Sequence, residues 1–123
     1  MNIEKIIFLE DDQNLAKLYV GKLRNAGYQV ELCESTDELL KTIADFKPDL
    51  AFLDHALHGE GKSGFDVIEP LKKGNPDIKV IMLSNYSDFQ MREATLQQGA
   101  IDYLVKLNTS PSDLVNYIRT NLT

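Results

Sequence analysis

Apolar residues in this chain fall into short unbroken runs separated by amphipathic stretches. Ile6-Ile7-Phe8-Leu9, Leu50-Ala51-Phe52-Leu53, Val80-Ile81-Met82-Leu83 and Tyr103-Leu104-Val105 have the length and composition of strands buried on both faces of a parallel sheet. The intervening stretches have helical spacing. Leu15, Leu18, Tyr19 and Leu23 predict one buried helix face that ends at Gly27 as the C′ residue. Gly21 lies inside that helix and weakens it by about 1 kcal/mol relative to Ala. Ser35 with Glu38 predicts a capping box ahead of Leu39, Leu40 and Ile43, all facing inward. Phe65, Ile68 and Leu71 form a third face closed by Gly74-Asn75-Pro76, and Ser87 with Gln90 predicts the cap of a fourth helix that stops at Gly99. Ser110-Pro111 opens a fifth, with Leu114, Val115, Ile118 and Leu122 on its apolar side.

The predicted order is β1 (3–9), α1 (12–26), β2 (28–33), α2 (36–46), β3 (49–53), α3 (64–73), β4 (78–83), α4 (88–98), β5 (101–105) and α5 (111–122). Strict alternation of this kind implies an α/β fold, a doubly wound five-stranded parallel sheet with five helices and right-handed crossovers. The expected organisation is one domain spanning 1–123, without internal repeats. The longest piece without a predicted element, residues 55–63, directly follows Asp54.

Composition narrows the function classes. The 123 residues suffice for one core, and 43% apolar with 26% charged residues is ordinary for a soluble globular protein. A net charge of −6 argues against direct nucleic-acid binding, which needs basic clusters. Cys33 is the one cysteine, so no intrachain disulfide is expected and a reducing cytoplasm fits. No run approaches a membrane span or a signal h-region. Cys33 reads as a small buried hydrophobe, and His55, His58 and Glu60 read as polar loop residues rather than a metal trio.

The chemistry lies where the runs end. The first runs into Glu10-Asp11-Asp12, the second into Asp54, the third into Ser84 and the fourth into Lys106. Ligands of open α/β sheets bind beyond the carboxyl ends of the strands. If β1 and β3 are neighbours, as the flavodoxin-like order 2-1-3-4-5 requires, Glu10, Asp11 and Asp54 share one pocket. Two carboxylates about 4 Å apart repel by roughly 4 kcal/mol at an effective dielectric of 20. A hard divalent cation such as Mg²⁺ resolves that repulsion and neutralises a phosphoryl group arriving on Asp54. Lys106 and the Ser84 hydroxyl are placed to grip its remaining oxygens. Asp12 reads as a helix N-terminal acid.

Glu10-Asp11, Asp54, Ser84 and Lys106, with Pro48-Asp49-Leu50 and Gly99-Ala100-Ile101-Asp102-Tyr103, resemble the receiver domain of bacterial response regulators along the whole chain. The resemblance implies that Asp54 is the phosphoacceptor, receiving its phosphoryl group from a sensor histidine kinase or phosphotransfer protein. It implies Asp11 as a direct Mg²⁺ ligand, Glu10 acting through water, and the Ala56 carbonyl completing the metal site. Ser84 resembles the switch hydroxyl, Lys106 the partner of the acyl phosphate, and Tyr103 the switch aromatic that packs inward on activation. The face formed by α4, β5 and α5 would then contact a downstream protein or form a homodimer, and Arg92, Glu93, Asp102 and Arg119 fall on that side.

Four features depart from the pattern. Leu107 stands where a proline usually follows the lysine, so the Lys106–Leu107 peptide is expected to be trans. Asn85 is larger than the residue usual after the switch hydroxyl. The loop after Asp54 lacks its customary proline, carries His58 and runs two residues longer to Gly64. Tyr86 is bulky, and the expectation is that it shields the acyl phosphate from water. The leading reading is a phosphorylation-controlled switch whose only catalysis is its own phosphotransfer and dephosphorylation. The alternative is a phosphorylation-independent receiver-like binding module. A phosphatase with an aspartyl nucleophile would need a second acid where Ala56 stands, and a nucleotide binder would need a Gly-rich loop after β1.

Overall fold

A computed structural model describes residues 2–57 and 63–122. The strands are β1 (Lys5–Leu9), β2 (Gln29–Cys33), β3 (Leu50–Asp54), β4 (Lys79–Ser84) and β5 (Asp102–Val105). They form a parallel sheet in the order β2-β1-β3-β4-β5, the flavodoxin-like order expected for the alternating elements. Helices α1 (Gln13–Asn25), α2 (Thr36–Phe46), α3 (Ile68–Gly74), α4 (Phe89–Gln97) and α5 (Pro111–Asn121) complete it. The period-2 pleat divides each run between two cores. Ile6, Phe8 and Phe52 pack with Tyr19, Leu23, Leu114 and Ile118 on one face. Ile7, Leu9, Ala51 and Leu53 pack with Leu39, Ile68, Leu71 and Met82 on the other. Both faces being covered explains why β3 is buried along its whole length.

Register places the strand ends side by side. Leu9 pairs with Leu53, Asp54 with Leu83 and Ser84 with Val105. Asp54 and Ser84 are therefore the last residues of their strands, one step later than the apolar runs alone indicated.

The helices differ from expectation in specific ways. Leu18 is 61% exposed, and α1 instead buries Ala16, Tyr19, Val20 and Leu23. Small Ala16 lets the helix approach the sheet, and the buried stripe is centred away from Leu18. Leu40 is 36% exposed at the edge of α2, while Leu39 is fully buried. Ser35 accepts from the Glu38 amide at 3.1 Å, but the Glu38 carboxylate accepts from Glu34 rather than closing the box on Ser35. Asp88, not Ser87, caps α4 by accepting from Met91 at 3.1 Å. The predicted α3 begins as a 3₁₀ turn over Gly64–Val67, capped reciprocally by Ser63 and Asp66. That offset puts Pro70 in the first turn of α3, where its missing N–H breaks no intrahelical bond. Lys47 ends α2 with φ 54, the one non-glycine positive φ among the described residues, at a cost of about 1–2 kcal/mol. Within α4 only Thr95 is fully buried. Among the described residues no helix is long and apolar enough to cross a membrane.

Candidate functional site

β1 hands directly to Glu10, whose amide still donates to the Cys33 carbonyl at 3.0 Å. This holds the Glu10 side chain at the sheet rim, almost fully buried, beside the buried carboxylate of Asp54. Asp12 turns away to cap α1 by accepting from Leu15, as its helix-end reading required. Carboxylate oxygens of Glu10, Asp11 and Asp54 lie within 4.8 Å of one another. Just past β5, Lys106 reaches Glu10 Oε1 at 2.6 Å and Asp54 Oδ1 at 3.0 Å, with 9% of its side chain exposed. Asp54 Oδ1 also accepts from the Ala56 amide at 3.3 Å. Four of the residues expected to form a site are thus in one cluster, with Ala56 at its edge.

The cluster carries more negative than positive charge in a desiccated place. Burial, followed by the contact with Asp54, pushes the Glu10 carboxyl up to about 7, against the opposing pull of Lys106. Burial alone would lower Lys106, but its bond to Glu10 and the charge of Asp54 outweigh that and raise it. An excess of hard oxygen donors of this kind suits a hard divalent cation better than a soft one. The residues present fit such an ion.

Ser84 is buried at the end of β4, and its Oγ accepts from the Tyr86 amide at 3.2 Å. Tyr103 is already packed inward, buried, with its hydroxyl donating to the Tyr86 carbonyl at 3.0 Å. The inward position expected for Tyr103 on activation is the one seen here, where the β4–α4 loop presents a carbonyl within reach of the phenol. Both polar groups of the Tyr86 backbone are therefore held, while its side chain is 72% exposed and borders a small cleft with Ser84 and Asn85. Among the described residues no cis peptide occurs; the Lys106–Leu107 peptide is trans, Lys106–Asn108 forms a 3₁₀ turn, and Leu107 is 91% exposed.

Further from the cluster, Arg92 of α4 lies 3.6 Å from Asp102 and donates to the Tyr103 carbonyl at 3.1 Å. Tyr117 of α5 donates to the other Asp102 oxygen at 2.6 Å. Arg92 and Asp102, named above as surface charges for a partner, are paired within the chain. Cys33 is buried, and burial pushes its thiol up to about 11, as befits a core residue. His55 is half-buried, and its Nε2 has no hydrogen-bond partner; His58 and Glu60 lie outside the described residues.

Sequence reasoning missed Gly64 as a site residue. A Cβ there would stand 2.3 Å from the Asp54 carbonyl oxygen and 2.9 Å from Leu53 Cβ, closer than atoms approach without displacement. The 3₁₀ turn thus seats directly on the end of β3. The only signal in the sequence is a glycine between the Ser63 cap and Phe65.

A five-stranded α/β sheet with buried acids and a lysine converging at its carboxyl rim defines a phosphoryl-handling switch domain. A family profile for the response regulator receiver domain matches residues 6–119, and the chain belongs to that family. It is 29% identical over 101 residues to the nitrogen assimilation regulatory protein NtrX of Azorhizobium caulinodans, covering 82% of this chain and 22% of that protein. A CheY-like receiver domain from Methanospirillum hungatei superposes with a TM-score of 0.87 at 27% identity, over 98% of this chain and 94% of that one. The BeF3-activated N-terminal receiver domain of Klebsiella pneumoniae RstA gives 0.84 at 30% identity, over 97% and 98%. The chain spans about a fifth of the NtrX relatives it matches. It is a receiver domain of two-component response regulators, a class phosphorylated on aspartate. The phosphorylation-independent reading is not favoured.

Proposed function

We propose that Asp54 is the phosphoacceptor and that Glu10, Asp11, Asp54 and the Ala56 carbonyl hold Mg²⁺ beside it. The observation that carries this reading is the double contact of Lys106 with Glu10 and Asp54. A cation fixed 3.0 Å from the acceptor carboxylate is within reach of an oxygen of any group bonded to it. The bound ion supplies charge neutralisation for the incoming phosphoryl oxygens.

The transfer itself is a displacement at phosphorus. An Asp54 carboxylate oxygen forms the new O–P bond as the P–N bond to the donor imidazole breaks, and the imidazole nitrogen keeps the electron pair. Lys106 stays on one phosphoryl oxygen. Ser84 donates its hydroxyl hydrogen to another, which draws on the loop segment anchored to its Oγ. Because Tyr86 N is bound to Ser84 and Tyr86 O to Tyr103, a shift of Ser84 pulls on Tyr103 through one residue. Arg92, Asp102 and Tyr117 carry that shift to α4 and α5, the face we assign to a downstream protein or a second copy. In this reading 1–123 works as one receiver unit in the cytoplasm.

Intact-mass measurement after incubation with acetyl phosphate and Mg²⁺ tests the assignment. One phosphate adduct is expected, absent from Asp54→Asn and from samples with chelator. An adduct that persists in Asp54→Asn would overturn it.

A further inference from the structure

Beyond the switch, we propose that the groove between α2 and α3 binds an amphipathic carboxylate, its apolar body along the helices and its acid group on Lys47. The groove encloses about 450 Å³, within the range of roughly 300–1,000 Å³ typical of small-molecule sites. Its lining includes Leu40 and Ile43 of α2, Leu71 of α3 and Ile78 just before β4. Leu40 and Ile43 are left partly uncovered, so an apolar body would remove from water the surface that α2 fails to bury against α3.

The acid group follows from Lys47. It is the single charged residue among those lining the groove, in a chain whose net charge is −6. Among the described residues that line the groove there is no carboxylate to recruit a cation or repel an anion. Lys47 also occupies the αL end of α2, a position that glycine fills without strain. A cationic side chain is thus held at the lip by a backbone that does not favour it.

The groove is separate from the phosphoacceptor. Pro48 and Ile78, which line it, precede β3 and β4, whereas Asp54 and Ser84 end those strands. The two sites therefore lie at opposite rims of the sheet, about 20 Å apart at the rise of an extended strand.

Octanoate, with octanol as its uncharged counterpart, is the probe, followed by ¹H–¹⁵N chemical shifts on the full chain. Saturable octanoate shifts are expected at Leu40, Ile43, Leu71 and Ile78 but not at Asp54 or Lys106. Lys47→Gly, which relieves the backbone, should keep the fold and weaken octanoate by about tenfold, while Lys47→Arg retains it. Octanol should bind wild type and Lys47→Gly equally. No saturable shift at the groove overturns the site. Equal octanoate affinity for wild type and Lys47→Gly overturns the carboxylate assignment, and failure at Asp54 leaves both results unaffected.

Discussion

The ammonium of Lys106 sits 2.6 Å from Glu10 Oε1, nearer than its 3.0 Å approach to Asp54. It is the shared counter-charge of two buried acids, so its removal leaves like charges facing each other in a dry pocket. Lys106→Met is therefore expected to lose about 3–5 kcal/mol of stability in the presence of chelator. Mg²⁺ should restore much of that loss by replacing the missing positive charge. Urea unfolding with and without the ion checks both parts. Phosphoryl capture from acetyl phosphate should fall by roughly 10²-fold even with saturating Mg²⁺, since one oxygen loses its donor.

The pH response follows from Glu10. Its folded carboxyl binds a proton more tightly, at about 7, than its ordinary value of 4.5. This group's contribution to stability is thus complete below 4.5 and is lost as pH rises through 7. Glu10→Gln removes the titration. The melting temperature of wild type relative to Glu10→Gln should therefore fall between about pH 5 and pH 8 in chelator. Because the ion competes with that proton, the thermal shift given by Mg²⁺ should be larger at about pH 8 than at about pH 6.

Gly64→Ala tests the seat of the 3₁₀ turn. Its new methyl meets the Asp54 carbonyl and Leu53 Cβ, both in a packed strand that cannot yield cheaply. A loss of about 1–3 kcal/mol is expected by urea unfolding, together with slower phosphorylation because the acceptor strand end is displaced. Gly21→Ala has open space around it and a helical backbone, so the same substitution there should stabilise by about 0.5–1 kcal/mol.

Tyr103→Phe keeps the ring in the core and deletes its bond to the Tyr86 carbonyl. The cost should be about 1 kcal/mol. Hydrogen exchange should quicken at Tyr86 and its loop neighbours, with protection of β1 and β3 unchanged. A uniform change across the sheet would instead mean that the phenol serves the core and not the loop.

The central strands β1, β3 and β4 were legible because they are buried on two faces, which leaves an uninterrupted apolar run and a sharp polar end, whereas the edge strand β2 alternates buried and exposed positions. The ends of the apolar runs located Glu10, Asp54, Ser84 and Lys106 before any contact was known. Helix faces were less legible. A periodic leucine such as Leu18 fits the pattern yet points to water, because small Ala16 rather than a second leucine meets the sheet. The cap of α4 was misplaced by one residue because Ser87 and Asp88 are both good caps, and only the loop path from Ser84 decides between them. The inward Tyr103 and the role of Gly64 depend on where a backbone oxygen lies, and side-chain sequence does not encode that directly.

Four of the helices anchor to the sheet through at least one buried leucine or isoleucine, whereas α4 commits only Thr95 to full burial. A helix seated so lightly has a low free energy of local opening compared with the domain as a whole. Its position can be reset by an energy on the scale of a few hydrogen bonds, far below that needed to disturb Phe8, Phe52 or Leu53. The placement of α4 and the thermodynamic stability of the domain are thus drawn from separate reservoirs of the same fold. The surface around α4 can therefore change in sequence at little cost to the hydrophobic interior.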